Sequence, residues 1–261
     1  MHPVAPTVNR NAAFTLMELV VVIAIIAILA ILIFPAVERS RESMWRGVCA
    51  HSLHQLNAAG AAYRADHDGS FWKYREDTRA GTMWWFGYET AASRGQAEGQ
   101  RTLDPSQGPL GPYAIASGGV QTDPAFLHCR PRHKPKFSNG NFGYGYNALL
   151  GGGPLGRGPL ARQSNFPHAP RIAVFATCAQ VNTFQAPADG DHPMIEEFYL
   201  FDHRETTIHF RFGGKALAAM LDGSVQDLPM DPTTLDPRMP QAQIGRFAPI
   251  GDKLYLAEPG E

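Results

Sequence analysis

The sequence has almost no net charge. Lys and Arg together number 23 and Asp and Glu 24, which gives a formal charge of -1 at pH 7. A protein that binds nucleic acid usually carries a basic patch that neutralises phosphates. The balanced charge provides no such patch, so we expect no nucleic-acid partner.

Motifs of catalysis and phosphate binding are also missing. The glycine-rich stretch 151–158 lacks the Gly-Lys-Ser/Thr ending of a phosphate loop, and we interpret it as a surface loop. Asp and His cluster at 66–68, 189–192 and 202–203, but no nucleophile elbow or metalloprotease helix accompanies them. Such clusters equally describe solvated turns. We therefore predict a protein that is not an enzyme and has no cofactor.

Metal-ligand residues do not form a complete set at any one place. Cysteine is scarce, with three residues in the chain. The groups with suitable intervals are Cys49, His51 and His54, or Cys129 and His133. A closed tetrahedral site needs four ligands, and no second paired motif has matching spacing. Calcium stays an alternative in the Asp-containing stretches 189–191 and 222–227, which lack a recognisable ligand ladder.

One long stretch lacks polar side chains altogether, at residues 19–34. Extended to Val37 it reaches nineteen residues, and at about 1.5 Å per residue a helix of this length just crosses about 30 Å of hydrocarbon. The leader, residues 1–13, carries Arg10 and the starting amine as positive charges and no acid, so the positive-inside rule places this end in the cytoplasm. We expect a single-pass protein of the cytoplasmic (inner) membrane with a periplasmic or extracellular head.

Glu18 is a charge at the border of this apolar stretch. A carboxylate in lipid is costly unless it is paired, so we expect a partner for it. A secretory signal would have a shorter apolar region and a small-residue cleavage site. Here the apolar stretch continues through Pro35 into the charged residues 38–41, so cleavage after the helix is not expected.

A family resemblance lies in the residues around Glu18, which read Asn11-Ala12-Ala13-Phe14-Thr15-Leu16-Met17-Glu18-Leu19. They resemble the cleavage and methylation segment of type IV pilins and type II secretion pseudopilins. The resemblance implies that a prepilin peptidase cuts between Ala13 and Phe14 and methylates the new Phe14 amine. Ala13 departs from the glycine that is usual before the cut. An uncleaved N-terminal anchor is the alternative.

The resemblance also implies assembly into a filament through the helix. Glu18 would pair with the N-terminal ammonium of a neighbouring subunit, and Pro35 lies where these helices commonly carry proline. The implied partners are the peptidase, other pilin or pseudopilin subunits, an inner-membrane assembly platform and membrane lipid. The implied function is a structural subunit of a pseudopilus or pilus-like filament.

Shorter motifs resemble a subgroup of large-headed pseudopilin-like proteins. They are Cys49-Ala-His-Ser-Leu-His-Gln-Leu56, Tyr63, Asp68-Gly69, Phe126-Leu-His-Cys129 and Tyr144-Gly-Tyr-Asn147. This resemblance implies a disulfide between Cys49 and Cys129 and favours a minor subunit. The subgroup often ends in His, nine residues and Asp-Gly. Asp222-Gly223 fits this ending, whereas Phe212 stands at the His position.

The predicted fold is α+β and pilin-like, with a long N-terminal helix packed on an antiparallel sheet. Apolar positions at intervals of three and four between Trp45 and Tyr63 predict that the helix continues beyond the membrane. Strands are predicted at 171–178 and 195–212, and a hairpin is predicted around Asp222-Gly223. The predicted divisions are a leader (1–13), a membrane helix (14–37), its amphipathic continuation (38–65), the head (66–228) and a Pro-rich tail (229–261).

Aromatic residues are dense between Phe71 and Tyr88. We interpret them as core packed beside the helix, because aromatic side chains dominate burial in small domains. The alternative is a carbohydrate-stacking surface. It would suit a solitary membrane-anchored module that binds glycan or protein and does not polymerise.

Overall fold

The computed structural model describes residues 15–114, 122–128, 133–140, 143–166 and 172–248. The chain forms two compact units, Met1–Ser43 and Met44–Glu261. We call the first the N-terminal unit and the second the head unit. Each is described by itself.

The N-terminal unit contains the first part of the long helix α1 (Leu16–Asp66). Its large apolar side chains from Leu16 to Phe34 are 44–81% exposed. Pro35 lies inside α1, and the helix continues through it. Among the described residues, α1 is the one helix long and apolar enough to cross a membrane.

The head unit begins with the remainder of α1. Its buried side chains include Cys49, Leu53 and Leu56, in agreement with the predicted apolar positions between Trp45 and Tyr63. The helix ends where the Gly69 N–H donates to the Arg64 carbonyl at 2.8 Å, with Gly69 at a φ of 74°. Glycine adopts this left-handed conformation without steric cost, which explains the end of the helix.

Short helices and thirteen strands follow in the described part of the head. The helices are α2 (Ala91–Arg94), α3 (Gly111–Ala114) and α4 (Pro124–Leu127). The strands are β1 (Arg75–Asp77), β2 (Gly81–Trp84), β3 (Gly87–Thr90), β4 (His133–Lys134), β5 (Tyr144–Asn147), β6 (Ala173–Thr177), β7 (Gln180–Asn182), β8 (Met194–Glu196), β9 (Leu200–Phe201), β10 (Ile208–His209), β11 (Lys215–Met220), β12 (Val225–Asp231) and β13 (Ile244–Phe247). The predicted α+β class is confirmed.

The strands form three sheets, with seven strands in the largest. Its order is β10-β13-β12-β11-β6-β5-β9, and its pairs are antiparallel except for β5 with β9. The two smaller sheets have the orders β1-β2-β3 and β4-β8-β7, and β4 pairs with β8 in parallel. The described sheets are therefore mainly antiparallel, as expected, with one parallel pair in the largest sheet and one in a smaller sheet that the sequence pattern did not indicate.

The predicted hairpin is formed by β11 and β12, which are antiparallel neighbours. The Met220 N–H donates to the Ser224 carbonyl at 2.8 Å, so three residues, 221–223, make the turn. This is one residue more than the predicted two-residue turn. Gly223 has a φ of 95°, and a glycine with positive φ is typical of hairpins with a three-residue loop.

The head core is rich in aromatic side chains, as predicted for the segment from Phe71 to Tyr88. Trp72 stacks on Tyr146 and Phe175 with ring centroids 4.9 and 5.8 Å apart, and Trp85 donates to the Tyr199 carbonyl at 2.8 Å. The buried aromatics of this segment are Phe71, Trp72, Tyr74, Trp84, Trp85 and Phe86. Their burial leaves these rings unable to form a stacking surface for carbohydrate.

The head continues beyond the predicted boundary at residue 228, which falls inside β12. β13 lies between β10 and β12 in the large sheet, and its Ile244 and Phe247 are buried. Phe247 contacts Phe201 and Phe210 edge-on, with ring centroids 6.0 Å apart in each case. Part of the proline-rich region is therefore a strand of the large sheet and packs through these apolar contacts.

Candidate functional site

The start of α1 is the candidate functional site. The predicted cleavage residues Ala13 and Phe14 lie outside the described residues, which begin at Thr15. Thr15 is the N-terminal cap of the helix, because its carbonyl accepts from the Leu19 N–H at 3.2 Å. The first described turn of the chain therefore directly follows the predicted cut.

Glu18 forms a capping box with Thr15. The Thr15 N–H and hydroxyl both donate to Glu18 Oε2, at 2.9 and 2.8 Å, and the Glu18 N–H donates to the Thr15 hydroxyl at 3.2 Å. A Thr with Glu three residues later satisfies N–H groups that the first turn cannot pair internally. A carboxylate at this end also complements the helix dipole.

The second carboxylate oxygen of Glu18 stays available. Within the described part of the chain, Oε1 accepts no hydrogen bond, because all three contacts with Thr15 use Oε2 or the Glu18 N–H. An ionised carboxylate accepts several hydrogen bonds, so Glu18 can cap its own helix and bind a cation at the same time.

The apolar surface that follows Glu18 contacts no other described residues of the N-terminal unit outside its own helix, since its side chains are exposed around the helix. Lipid tails or apolar helices of other subunits would cover such a surface. Pro35 lies within this helix and lacks an N–H, so the carbonyl four residues earlier loses its regular helical donor.

Cys49 is fully buried in the head unit, and burial raises the pKa of its thiol. The Cys49 thiol is free in the structure. Its predicted disulfide partner, Cys129, lies outside the described residues, so the pairing is not observed and stays a prediction. One contact bears on it. Trp45, one turn before Cys49, stacks on His128, the residue directly before Cys129, with ring centroids 4.7 Å apart.

The residues considered as metal ligands are dispersed. His51 and His54 are exposed while Cys49 is buried, so these side chains do not converge. His133 lies 3.4 Å from Glu197, and Cys129, the other residue of its candidate pair, lies outside the described residues. In the stretches that the structure describes, no three Cys, His, Asp or Glu side chains are grouped as metal ligands would be.

The Asp residues considered for calcium have roles in turns and ion pairs. Asp189 accepts from the N–H groups of Asp191 and His192 at 2.9 and 2.7 Å. Asp222 accepts from the Ser224 N–H at 2.9 Å, and Asp227 pairs with Arg46.

Sequence reasoning missed two sets of polar residues inside the head unit. Lys134, only 3% exposed, lies 2.6 Å from Glu98 and 3.3 Å from Glu196. Asn57 and Arg64 are equally buried on α1 and line a groove. Two polar residues seven positions apart on a mostly apolar helix face were a signal for the second set.

These features define a protein with an apolar N-terminal helix that could anchor it in a membrane and an α+β head. Residues 8–34 match the model of the prokaryotic N-terminal methylation motif, and this match supports a type IV prepilin-like protein. The match covers only the N-terminal segment and does not reach Asp222-Gly223. No curated protein and no solved structure gives a significant match to the chain.

Proposed function

We propose that the protein is a structural subunit of a type II secretion pseudopilus or a type IV pilus-like filament. The main support for this proposal is a methylation motif at residues 8–34 that is continuous with a helix whose apolar side chains are exposed. A structural role also accords with the absence of a recognisable catalytic motif in the sequence.

Processing comes first in this proposal. A prepilin peptidase in the cytoplasmic membrane cuts between Ala13 and Phe14 and methylates the Phe14 amine. The position of Thr15 as helix cap supports this, because the new amino group then lies directly before the first helical turn. Ala13 keeps a small side chain before the cut.

Assembly then uses Glu18 and the apolar helix. The free Oε1 of Glu18 receives the N-terminal ammonium of a neighbouring subunit while Oε2 stays in the capping box. In a dry helix bundle, the value of such an ion pair lies in setting register as much as in stability. The exposed apolar side chains contact lipid before assembly and other helices afterwards.

The proposed location follows from the leader. Arg10 and the absence of acids before Glu18 favour a cytoplasmic N-terminus, which sends the head to the periplasm or the cell exterior. Other pilin or pseudopilin subunits, an inner-membrane assembly platform and lipid are the partners. The large head and its irregular connections favour a minor subunit.

A disulfide between Cys49 and Cys129 belongs to the same proposal. The stacking of Trp45 on His128 supports it, because this contact brings the chain next to Cys129 close to the Cys49 turn of α1. An exported head is in a compartment where disulfides persist. Cys178, buried in the sheet, remains a thiol.

The rival function is a solitary membrane-anchored module that binds glycan or protein and does not polymerise, and its glycan-binding form has less support. The aromatic residues on which it depended are buried in the head core. No other observation in the described residues favours it.

Mass spectrometry of the mature N-terminus tests processing. The chain is expressed in a host with an active prepilin peptidase and in one with an inactive peptidase. The expected result is a chain that begins with N-methylated Phe14 in the first host alone. An intact Met1 leader in both hosts would contradict the proposal.

Glu18→Leu and Glu18→Gln test assembly. Both remove the charge, whereas Gln keeps an oxygen that can accept from Thr15 in the capping box. We expect both variants to insert in the membrane and to lose co-assembly with the pilins of the host. Normal co-assembly of Glu18→Gln would show that the charge has no role.

A further inference from the structure

The strand β12 has an open edge on the side of β13. β11 pairs with β12 along residues 225–229, whereas β13 pairs with it only at Met230 and Asp231. The last described bond at this edge runs from the Ala248 N–H to the Pro229 carbonyl, at 2.9 Å. Within the stretches that the structure describes, the part of β12 before Pro229 therefore has a neighbouring strand on one side only.

Backbone groups at this edge are available for hydrogen bonds. The Pro229 carbonyl points towards β13, whereas the Ser224 carbonyl points towards β11 and accepts from the Met220 N–H at 2.8 Å. In an antiparallel strand, the backbone groups of successive residues point to opposite sides. Those of Val225 and Asp227 therefore point to the same side as the Pro229 carbonyl, where no described residue bonds to them. An unpaired edge of this kind can accept an extended segment.

β13 directs the chain along this open edge. The antiparallel register of β12 and β13 puts Ala248 opposite Pro229. Each later residue in the same register would lie one position further towards the β11–β12 turn, so that Leu254 would be opposite Gly223. Residues 249–261 lie outside the described residues, so the direction of β13 and the sequence itself are what indicate their path.

The sequence directly after Ala248 is compatible with such a strand. Because the Ala248 N–H points towards β12, the N–H position of the next residue would point away from it. That residue is Pro249, which has no N–H and is tolerated where a strand needs no donor. Ile250 is the next residue whose N–H would point towards β12, and the Asp227 carbonyl would be its acceptor.

The groove along α1 lies beside the turn that this path would reach. It has a volume of about 670 Å³. Ala58, Ala61 and Ala65 line it on the helix side, and Asp222 and Gly223 border it on the side of the turn. The alanines are exposed, and their small side chains leave space for larger apolar ones.

Side chains of the continued strand would alternate between two faces. The Asp227 side chain is on the face of β12 towards α1, because it pairs with Arg46. Residues directly opposite each other in antiparallel strands share a face. Ile250 and Leu254 would accordingly face α1, with Asp252 as the polar residue between them. Leu254 would then enter the groove next to the turn.

We propose that residues 250–256 of the same chain form a strand on the open edge of β12 and that Leu254 and Leu256 cover the groove along α1. This strap closes an edge on which another chain could pair. The same chain is favoured over a second copy, because its segment is tethered directly to β13 and has a high effective concentration at the edge.

Residue-resolved hydrogen exchange of the full chain in detergent tests the strap, in comparison with a chain that ends at Ala248. The amides of Val225 and Asp227 should exchange at least about tenfold more slowly in the full chain, because only the strap bonds to them. The amides of β11, which has strands on both sides, are the control and should not change. Tryptophan fluorescence checks that both chains fold. Equal exchange of the two β12 amides in the folded chains would overturn the proposal.

A cysteine pair tests the register without truncation. Val225→Cys and Asp252→Cys would be directly opposite, with Cα atoms about 5.5 Å apart, which a disulfide can bridge. Val225→Cys with Gly251→Cys is the matched control, because residue 251 would face away from α1. We expect an intrachain disulfide in the first pair alone, identified by peptide mass mapping of the oxidised monomer. A disulfide-linked dimer, or no disulfide in the folded first pair, would overturn the proposal.

Discussion

Arg211 and Asp123 form an ion pair inside the head, with side chains 3% and 0% exposed. Arg211 Nη2 lies 2.7 Å from Asp123 Oδ2 and donates to the Gly143 carbonyl at 2.6 Å, so the pair joins α4 to the strand region. Removal of one partner of a buried pair is much more costly than removal of an exposed one, because the other charge stays buried.

Arg211→Met should therefore lower the free energy of unfolding by about 3–5 kcal/mol. Lys73→Met is the matched control, because its pair with Glu76 is 41% and 54% exposed and such pairs contribute about 0–1 kcal/mol. Denaturant unfolding of the full chain in detergent, followed by tryptophan fluorescence, measures both. All four tryptophans lie in the head unit. Equal losses in the two variants would contradict the prediction.

His209 makes the stability of the head depend on pH. It is 2% exposed, and burial, with the nearby charge of Arg211, lowers its pKa well below the usual value. Its Nδ1 lies 2.8 Å from Arg211 Nη1, and since arginine only donates, Nδ1 must be unprotonated. The unfolded chain thus takes up a proton near pH 6.5, whereas the folded chain does not.

The contribution of His209 is accordingly present above about pH 6.5 and lost as the pH falls. Below about pH 6.5, we expect His209 to lower the free energy of unfolding by up to about 1.4 kcal/mol for each unit that the pH falls. Unfolding of His209→Gln and of the unchanged chain between pH 7.5 and 5.5 measures the slope. The Gln variant should have the flatter profile, and parallel profiles would show that His209 is not responsible.

At the scale of the element, α1 contains two glycines with opposite surroundings. A Cβ at Gly60 would lie 2.7 Å from the Trp72 ring, whereas a Cβ at the exposed Gly47 would meet no atom within 4 Å. Trp72 cannot move aside easily because it is stacked on Tyr146 and Phe175. Gly60 thus allows close approach of the helix to the ring.

Gly60→Ala and Gly47→Ala test this contact as a pair. Each should gain about 1 kcal/mol of helix propensity, but only Gly60→Ala overpacks the core. We expect Gly47→Ala to be more stable than Gly60→Ala by about 1–3 kcal/mol in denaturant unfolding. Similar stability would mean that the core around Trp72 is loosely packed.

The local elements could be predicted from the sequence because their patterns are local. The regularly spaced apolar positions from Trp45 to Tyr63 indicated the second part of α1, and Asp222-Gly223 indicated the β11–β12 hairpin. Glu18 was recognisable because its charge interrupts an apolar stretch, although its bonds with Thr15 were not predicted.

Features that depend on distant residues could not be predicted in this way. The parallel pairs β4–β8 and β5–β9 join segments far apart in the chain. The buried hydrogen bonds of Asn57 and Arg64 are made with Met220 and Gln163, which are 163 and 99 positions away. The strand β13 was hidden by the proline-rich composition around it, because only its neighbours in the sheet explain its burial.

At the scale of the whole molecule, the head unit has its own core, built from residues after position 43. A fragment of residues 44–248 should therefore fold and remain in solution without detergent, whereas the full chain exposes the apolar helix and needs detergent or membrane. Tryptophan fluorescence and near-ultraviolet circular dichroism should match between the fragment and the detergent-solubilised full chain, because the tryptophans lie in the retained unit. A fragment that aggregates or lacks these tertiary signals would show that residues outside 44–248 stabilise the head.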